Sequence, residues 1–414
     1  MEHAFKPEQM TKKYFTPWVI LISMIALNGL AFLAARFLFG IGSVTNLNNQ
    51  FPWGIWIGID VGAGVALAAG GFTTAALGHI MHRDKYEVII RPALLTAMLG
   101  YTFVAMGVFV DIGRWYYIWH PLVFWNGTSA LFEVGICVMF YLTVLYIEFL
   151  PIVTEHFIGK VNLPGFLKRF NLLIDGLLRK LDRALEKTMF IFIIAGVVLS
   201  CLHQSSLGTL MIVSGPKMHP LWQTPVLPLL FLLSAISVGF PMVIMESIAA
   251  SKSFGLKPEM DVLTSLSKFV APLLGIYLAA KLIDMFIRET FVYLYEFNTV
   301  TILFGIEVII GVILPLRLFL SKEVRKSPSG LFIASMLVIF GVFLNRFNNF
   351  ITAYNPPYAA QSYVPSIGEI SVTLGFIAIE ILLYRLFVIN FPIISVPEKL
   401  KGIKTKYAIR GGLK

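Results

Sequence analysis

Asp60, Asp111, Glu133 and His203 are ionisable side chains set in four separate runs of apolar sequence. At about 1.5 Å per helical residue, all four fall in the same outer part of a bilayer. Charge is costly at that depth and normally faces a protein interior, so each residue is a functional candidate. The chemistry that fits the set is proton-coupled redox at a quinone ring. That reaction moves two protons with two electrons, so it calls for a hydrogen-bond donor such as His203 and for carboxylates that exchange protons. Gln204 and Ser205 follow His203, and Arg114 lies one helical turn beyond Asp111. With Trp53, His219 and Trp222 from nearby connections, these complete a candidate quinone-binding set. The competing reading is a structural network in which Asp111 and Arg114 pair to fix helix ends.

A second set lies deeper or in the second half. Glu246, Glu307 and Glu380 sit in apolar runs, Lys281 and Asp284 share another, and Glu148 and His79 stand towards the inner ends of theirs. Together they form either a proton path between the two faces or a group of paired structural polars. Haem is not expected. Of seven histidines only His203 is well inside a run, so no pair can bracket a haem at mid-membrane. Cys137 and Cys201 are isolated, which argues against a zinc site or an iron–sulfur cluster in this chain.

The elements that hold these residues follow from composition. The 414 residues are 57% hydrophobic and 14% charged, too apolar for one soluble core to hide, so lipid must solvate the outside. The fold class is therefore an all-α integral membrane protein. Ten runs are long enough to span: 17–40, 54–80, 92–114, 128–151, 188–212, 226–250, 264–288, 298–320, 329–346 and 367–393. The first is too long for a signal peptide and reads as an uncleaved span. The net charge of +10 does not point to nucleic acid, because 27 of the 33 Lys and Arg residues fall in alternate connections and the two tails. That alternation places both termini in the cytoplasm and the chain in a bacterial cytoplasmic membrane.

The expected organisation is a tail (1–16), spans 1–4 (17–151), a linker (152–187), spans 5–10 (188–393) and a basic tail (394–414). Within the linker, Leu167, Phe170, Ile174, Leu177, Leu181 and Leu185 recur at helical spacing among basic residues. This reads as an amphipathic helix on the inner membrane surface. The outer connections are poor in charge and rich in Trp, Tyr, Asn and Pro. They serve as an interfacial belt or as a platform for a protein partner.

Several outer-face motifs are similar to those of the polysulfide-reductase membrane-subunit family, NrfD/PsrC. They are FPWGIWIGID (51–60), RPALL (91–95), FVDIGRWY (109–116), LFEVGIC (131–137), LHQSSLGTLM (202–211), HPLWQTPVLP (219–228) and GFIAIEILLY (375–384). The nearest branch is HybB-type, the membrane subunit of certain nickel–iron hydrogenases. The membrane subunit of cytochrome c–menaquinone reductase is a related candidate.

The resemblance implies two four-helix bundles with flanking spans and a menaquinone site near the extracytoplasmic face, where Asp60, Asp111, Arg114, Glu133, His203 and Gln204 hold the motif positions. It further implies a docked ferredoxin-like iron–sulfur subunit, and behind it a hydrogenase, a molybdopterin-type enzyme or a multihaem cytochrome c. Family members carry no redox centre of their own. Electrons would pass between the outer subunit and menaquinone, with or without proton translocation. A secondary transporter would instead show paired broken helices at mid-membrane. A purely structural anchor would not need so many buried carboxylates.

Overall fold

The computed structural model describes residues 5–80, 84–359 and 361–397. Among the described residues, ten helices are long and apolar enough to cross a membrane: α1 (Pro17–Phe39), α2 (Trp56–Gly78), α3 (Glu87–Asp111), α4 (Ala130–Phe157), α5 (Asn171–Val213), α6 (Leu227–Phe254), α7 (Met260–Ile287), α8 (Thr299–Leu320), α9 (Pro328–Thr352) and α10 (Ile367–Asn390). They match the ten apolar runs one for one. The protein is an all-α, multi-pass membrane protein.

Local signals set the helix ends. Thr16 caps α1 and Pro17 opens it, a pairing that suits a first turn with unpaired N–H groups. Ser366 and Glu369 form a reciprocal capping box at the start of α10. The ninth run extends beyond its expected end because Asn348–Thr352 continues it as a π-helical turn.

The helix α2 is the central one. It packs against α3, α6 and α9, and it is π-helical over Trp56–Ala63. Helices α4 and α5 pair along their length, and α6 touches α5, α7 and α9. Helix α1 rests mainly on α10, where Gly29 and Gly375 cross so closely that a Cβ on Gly29 would stand 2.6 Å from Gly375 Cα. Only glycines allow that approach.

The two ends of the described chain meet. Strand β1 (Phe5–Glu8) pairs antiparallel with β2 (Ile394–Pro397) at one end of the helices.

The linker departs from its expected attitude. Residues 171–187 are the first turns of α5, one unbroken helix of 43 residues, about 64 Å long. A helix that crosses a hydrocarbon layer of about 30 Å without a break cannot also lie flat on its surface. The segment instead runs on past the C-terminal end of α4. Thr154 donates to Asp182 at 2.7 Å, and Gly159 N donates to Asp175 at 2.6 Å. Leu172, Leu173 and Leu177 stay exposed along it.

Candidate functional site

A cavity of about 140 Å³ lies where α2, α3, α6, α9 and α10 meet. Its walls are mainly apolar, including Phe103, Met242, Phe343 and Phe376, with Asp60 and Glu380 contributing carboxylates. Asp60 comes from the π-helical start of α2, where the widened turn re-aims side chains relative to a regular helix. Thr373 Oγ1 of α10 donates to Asp60 Oδ2 at 2.9 Å. Gly107 leaves room for the aspartate, since a Cβ there would sit 3.1 Å from Asp60 Cβ.

Asp111 lies within electrostatic reach of Asp60, Glu369 and Arg36 of α1. Arg36 is 1% exposed. Its Nε donates to Val110 O at 2.7 Å and its Nη2 to Ile112 O at 2.6 Å, closing the carbonyl end of α3. Asp111 Oδ1 is buried without a hydrogen bond among the described residues. Arg114, the partner expected from spacing, is exposed and forms no ion pair among those residues. The expected Asp111–Arg114 pair is absent among the described residues, and Arg36 binds the neighbouring carbonyls instead. The turn after Asp111 leaves the helix, so the residue three positions on no longer sits above it.

His203 does not share this cavity. It is fully buried on α5 beside Tyr101, their ring centroids 5.6 Å apart, and Tyr101 meets Tyr141 edge-on at 4.3 Å. Both imidazole nitrogens, both tyrosine hydroxyls and Ser200 Oγ make no hydrogen bond among the described residues. Gln204 donates to Val65 O at 2.7 Å, and its side-chain oxygen is also unpaired. This is a closed cluster of neutral polar groups. Glu133 stands apart again, exposed on α4 and accepting from Ser206 Oγ at 2.6 Å. Ser205 is half-buried, its carbonyl bonded to Thr209. The four residues expected to share one pocket thus form one carboxylate pair, one sealed cluster and one exposed glutamate.

The second set also divides. Lys281 and Glu307 form a buried ion pair, and Glu307 accepts in addition from Trp222 at 2.9 Å and from Asn345 and Asn348 at 2.8 Å each. Trp222 is therefore bound to this pair rather than to the first cavity. Arg346, fully buried, lies 3.7 Å over the Phe231 ring and donates to Phe231 O, Ser234 and Asn345. Asp284 pairs with Arg288 at 2.8 Å and accepts from Thr224.

Glu380 and Glu246 approach each other instead. Glu246 stands beside Thr96 and Tyr384, with neither oxygen in a well-formed hydrogen bond. A cavity of about 20 Å³ joins Glu246 and Tyr384 to Glu259 at the inner end. Burial pushes Glu259, in the connection before α7, up to about 7. Glu148 is half-buried against Gly196 of α5. The side chain of His79 lies outside the described residues.

At the end of the helices opposite the paired strands, three connections interlock. His219 N donates to Ala353 O at 2.8 Å, Met218 bridges to Tyr354, and Trp53 packs on Tyr354 at 6.0 Å. Burial holds the His219 imidazole below its ordinary pKa. Glu369, which the sequence reading passed over, ties the first connection to α10 through bonds from Asn46 N, Tyr363 and Ser366 N. Arg36, Tyr101, Tyr141, Thr373 and Arg346 were also passed over. The one signal for the two arginines was their place inside or at the end of apolar runs.

The matching family model is that of polysulphide reductase, NrfD, over residues 43–356, and the chain belongs to that family. A protein of Nitratidesulfovibrio vulgaris (Hildenborough) is 36% identical over 95% of this chain and 97% of its own length. The probable Ni/Fe-hydrogenase 2 b-type cytochrome subunit of Escherichia coli K12 is 31% identical over 94% and 95%. The menaquinone reductase integral membrane subunit of Nitratidesulfovibrio vulgaris is 25% identical over 87% of each chain.

Proposed function

We propose that this NrfD-family chain is the quinone-interacting membrane subunit of a respiratory oxidoreductase complex, exchanging electrons between an iron–sulfur subunit on its outer face and menaquinone. The observation that carries the reading is the cavity of about 140 Å³ with a carboxylate towards each end. On the same scale, a dry cavity of about 150 Å³ holds one benzene ring. A two-ring headgroup therefore enters by displacing the lipid-facing side chains Phe343 and Ile377, which are 36% and 45% exposed. Menaquinone, when bound, supplies the two-electron, two-proton chemistry.

The residues around it orient and exchange protons. Asp60, steadied by Thr373, and Asp111, steadied by Arg36, serve the outer end of the cavity. Glu380, Glu246 and Glu259, with Thr96 and Tyr384 between them, offer a route to the inner end. His203, Tyr101, Tyr141 and Ser200 form a relay inside the first half, with Glu133 and Glu148 on either side of it. The orientation with both termini in the cytoplasm of a bacterial cell makes the interlocked connections around Trp53, His219 and Tyr354 the platform for the electron-transfer subunit. Beyond that subunit stands a catalytic one, and the printed names of the relatives favour a hydrogenase or a menaquinone-linked reductase.

The test is purification in mild detergent with co-purifying subunits, lipid quinone and the visible spectrum recorded together. An iron–sulfur protein and menaquinone arriving with the chain, and no b-haem absorbance from it, supports the reading. Asp60→Asn should then lower quinone turnover at least tenfold with assembly intact. A lone chain without quinone would bring the transporter reading forward.

A further inference from the structure

Around the ring of Phe254, the last residue of α6, two cations converge. Lys12 Nζ lies 5.9 Å from the ring centroid and the Arg385 guanidinium 5.6 Å. Both are held by backbone carbonyls. Lys12 donates to Ser253 O at 3.1 Å, and Arg385 donates to Tyr14 O at 3.1 Å and Lys13 O at 2.8 Å. The tail that carries Lys12 is itself fixed, with Met10 N donating to Val388 O at 3.2 Å and β1 paired to β2. Lys252 stands exposed in the last turn of α6, two residues from Phe254. Lys12, Lys252 and Arg385 form no ion pair among the described residues.

A topology signal needs positive charge on one side of the membrane but no particular geometry. Here two long side chains give up rotamer freedom to hold like charges together, and carbonyl acceptors satisfy the donors without neutralising them. The level is that of lipid headgroups. Phe15 and Trp18, 75% and 74% exposed, begin the apolar stretch directly beyond, as interfacial aromatics do.

From this geometry we infer a binding site for an anionic phospholipid at the inner crevice between the tail, α6 and α10. Its phosphate rests on Lys12 and Arg385, with Lys252 adding field, and its acyl chains lie along the exposed apolar faces of α1 and α10. The apolar wall commits the site to a lipid rather than a free anion. A zwitterionic lipid would bring its own cation into the cluster and gain less.

The experiment uses the full chain in detergent with phosphatidylcholine, titrated with phosphatidylglycerol. Bound lipid is read by native mass spectrometry and Tm in parallel. The parent should retain phosphatidylglycerol and gain Tm. Lys12→Ala with Lys252→Ala leaves the Arg385 bonds intact and should weaken binding about thirtyfold, roughly fivefold per charge. Lys12→Arg should retain most of it. Equal retention by the parent and the double variant overturns the site, and so does an equal Tm gain from inorganic phosphate alone. Neither readout involves quinone, so the result stands apart from the redox reading.

Discussion

The closed cluster on α5 and the ion-pair cluster between α7, α8 and α9 are both buried and polar, yet they are built on opposite terms. Around His203 the groups are neutral and short of partners: two imidazole nitrogens, two phenols and Ser200 Oγ have none among the described residues. Around Glu307 the groups are charged, and the carboxylate is well supplied, accepting from Lys281, Trp222, Asn345 and Asn348. A carboxylate so supplied fixes one arrangement, because removing its cation leaves a charge stranded. An under-satisfied neutral cluster can rearrange its hydrogen bonds without stranding a charge. The Glu307 cluster is thus a scaffold, and the groups free to change lie in the His203 cluster and around Glu246.

The largest effect should come from breaking the scaffold. Lys281→Met leaves Glu307 buried without its cation, which costs about 3–5 kcal/mol when one partner of such a pair is lost. Thermal unfolding in detergent should show it, and adding Glu307→Gln should recover much of the loss. A single variant as stable as the parent would remove the contrast between the two clusters.

His203→Phe tests the other side of the comparison. The ring keeps its packing against Tyr101, and two unpaired buried nitrogens disappear, so Tm should hold or rise. Quinone turnover in the assembled complex should fall about tenfold, because the proposed relay through this cluster loses its ring nitrogens. A fall in Tm with turnover intact would make His203 structural, as Glu307 is.

Arg36→Met should come next, at about 1.5–3 kcal/mol. It strips two carbonyls at the end of α3 of a charged donor. If α1 were only an anchor held by Gly29 and Gly375, Tm would barely move.

How far the sequence foretold this depended on range. The ten helices were legible because lipid demands long apolar runs, and each run carries that demand locally. The carboxylate positions were legible for the same reason, since charge in such a run stands out. Their grouping was not. Asp60 and His203 have similar depth, but depth does not say which face of α2 or α5 points where, and the π-helical start of α2 rotates that face further. Arg36 lies 75 positions from Asp111, a partnership set by how α1 packs. Glu369 was passed over because its role is a cap reached through Asn46 and Tyr363, distant in one case and unremarkable in the other. Nothing in spacing marked Tyr101 or Tyr141 among the 15 tyrosines.

The smallest effect belongs to Glu259, which lies at the inner end of the carboxylate route. Burial raises it to about 7 from an ordinary 4.5, because the charged form is poorly solvated there. A carboxylate raised in the folded state contributes stability that is complete below its unfolded value and lost as pH climbs through its folded value. The parent should therefore lose on the order of 1–2 kcal/mol between pH 5 and pH 8, after allowance for partial exposure. Glu259→Gln stays neutral throughout and should flatten that part of the profile. Because Glu259 shares a cavity with Glu246, the same variant should also remove any turnover inflection near pH 7. A profile unchanged in both stability and turnover would separate Glu259 from the route and end that route at Glu246.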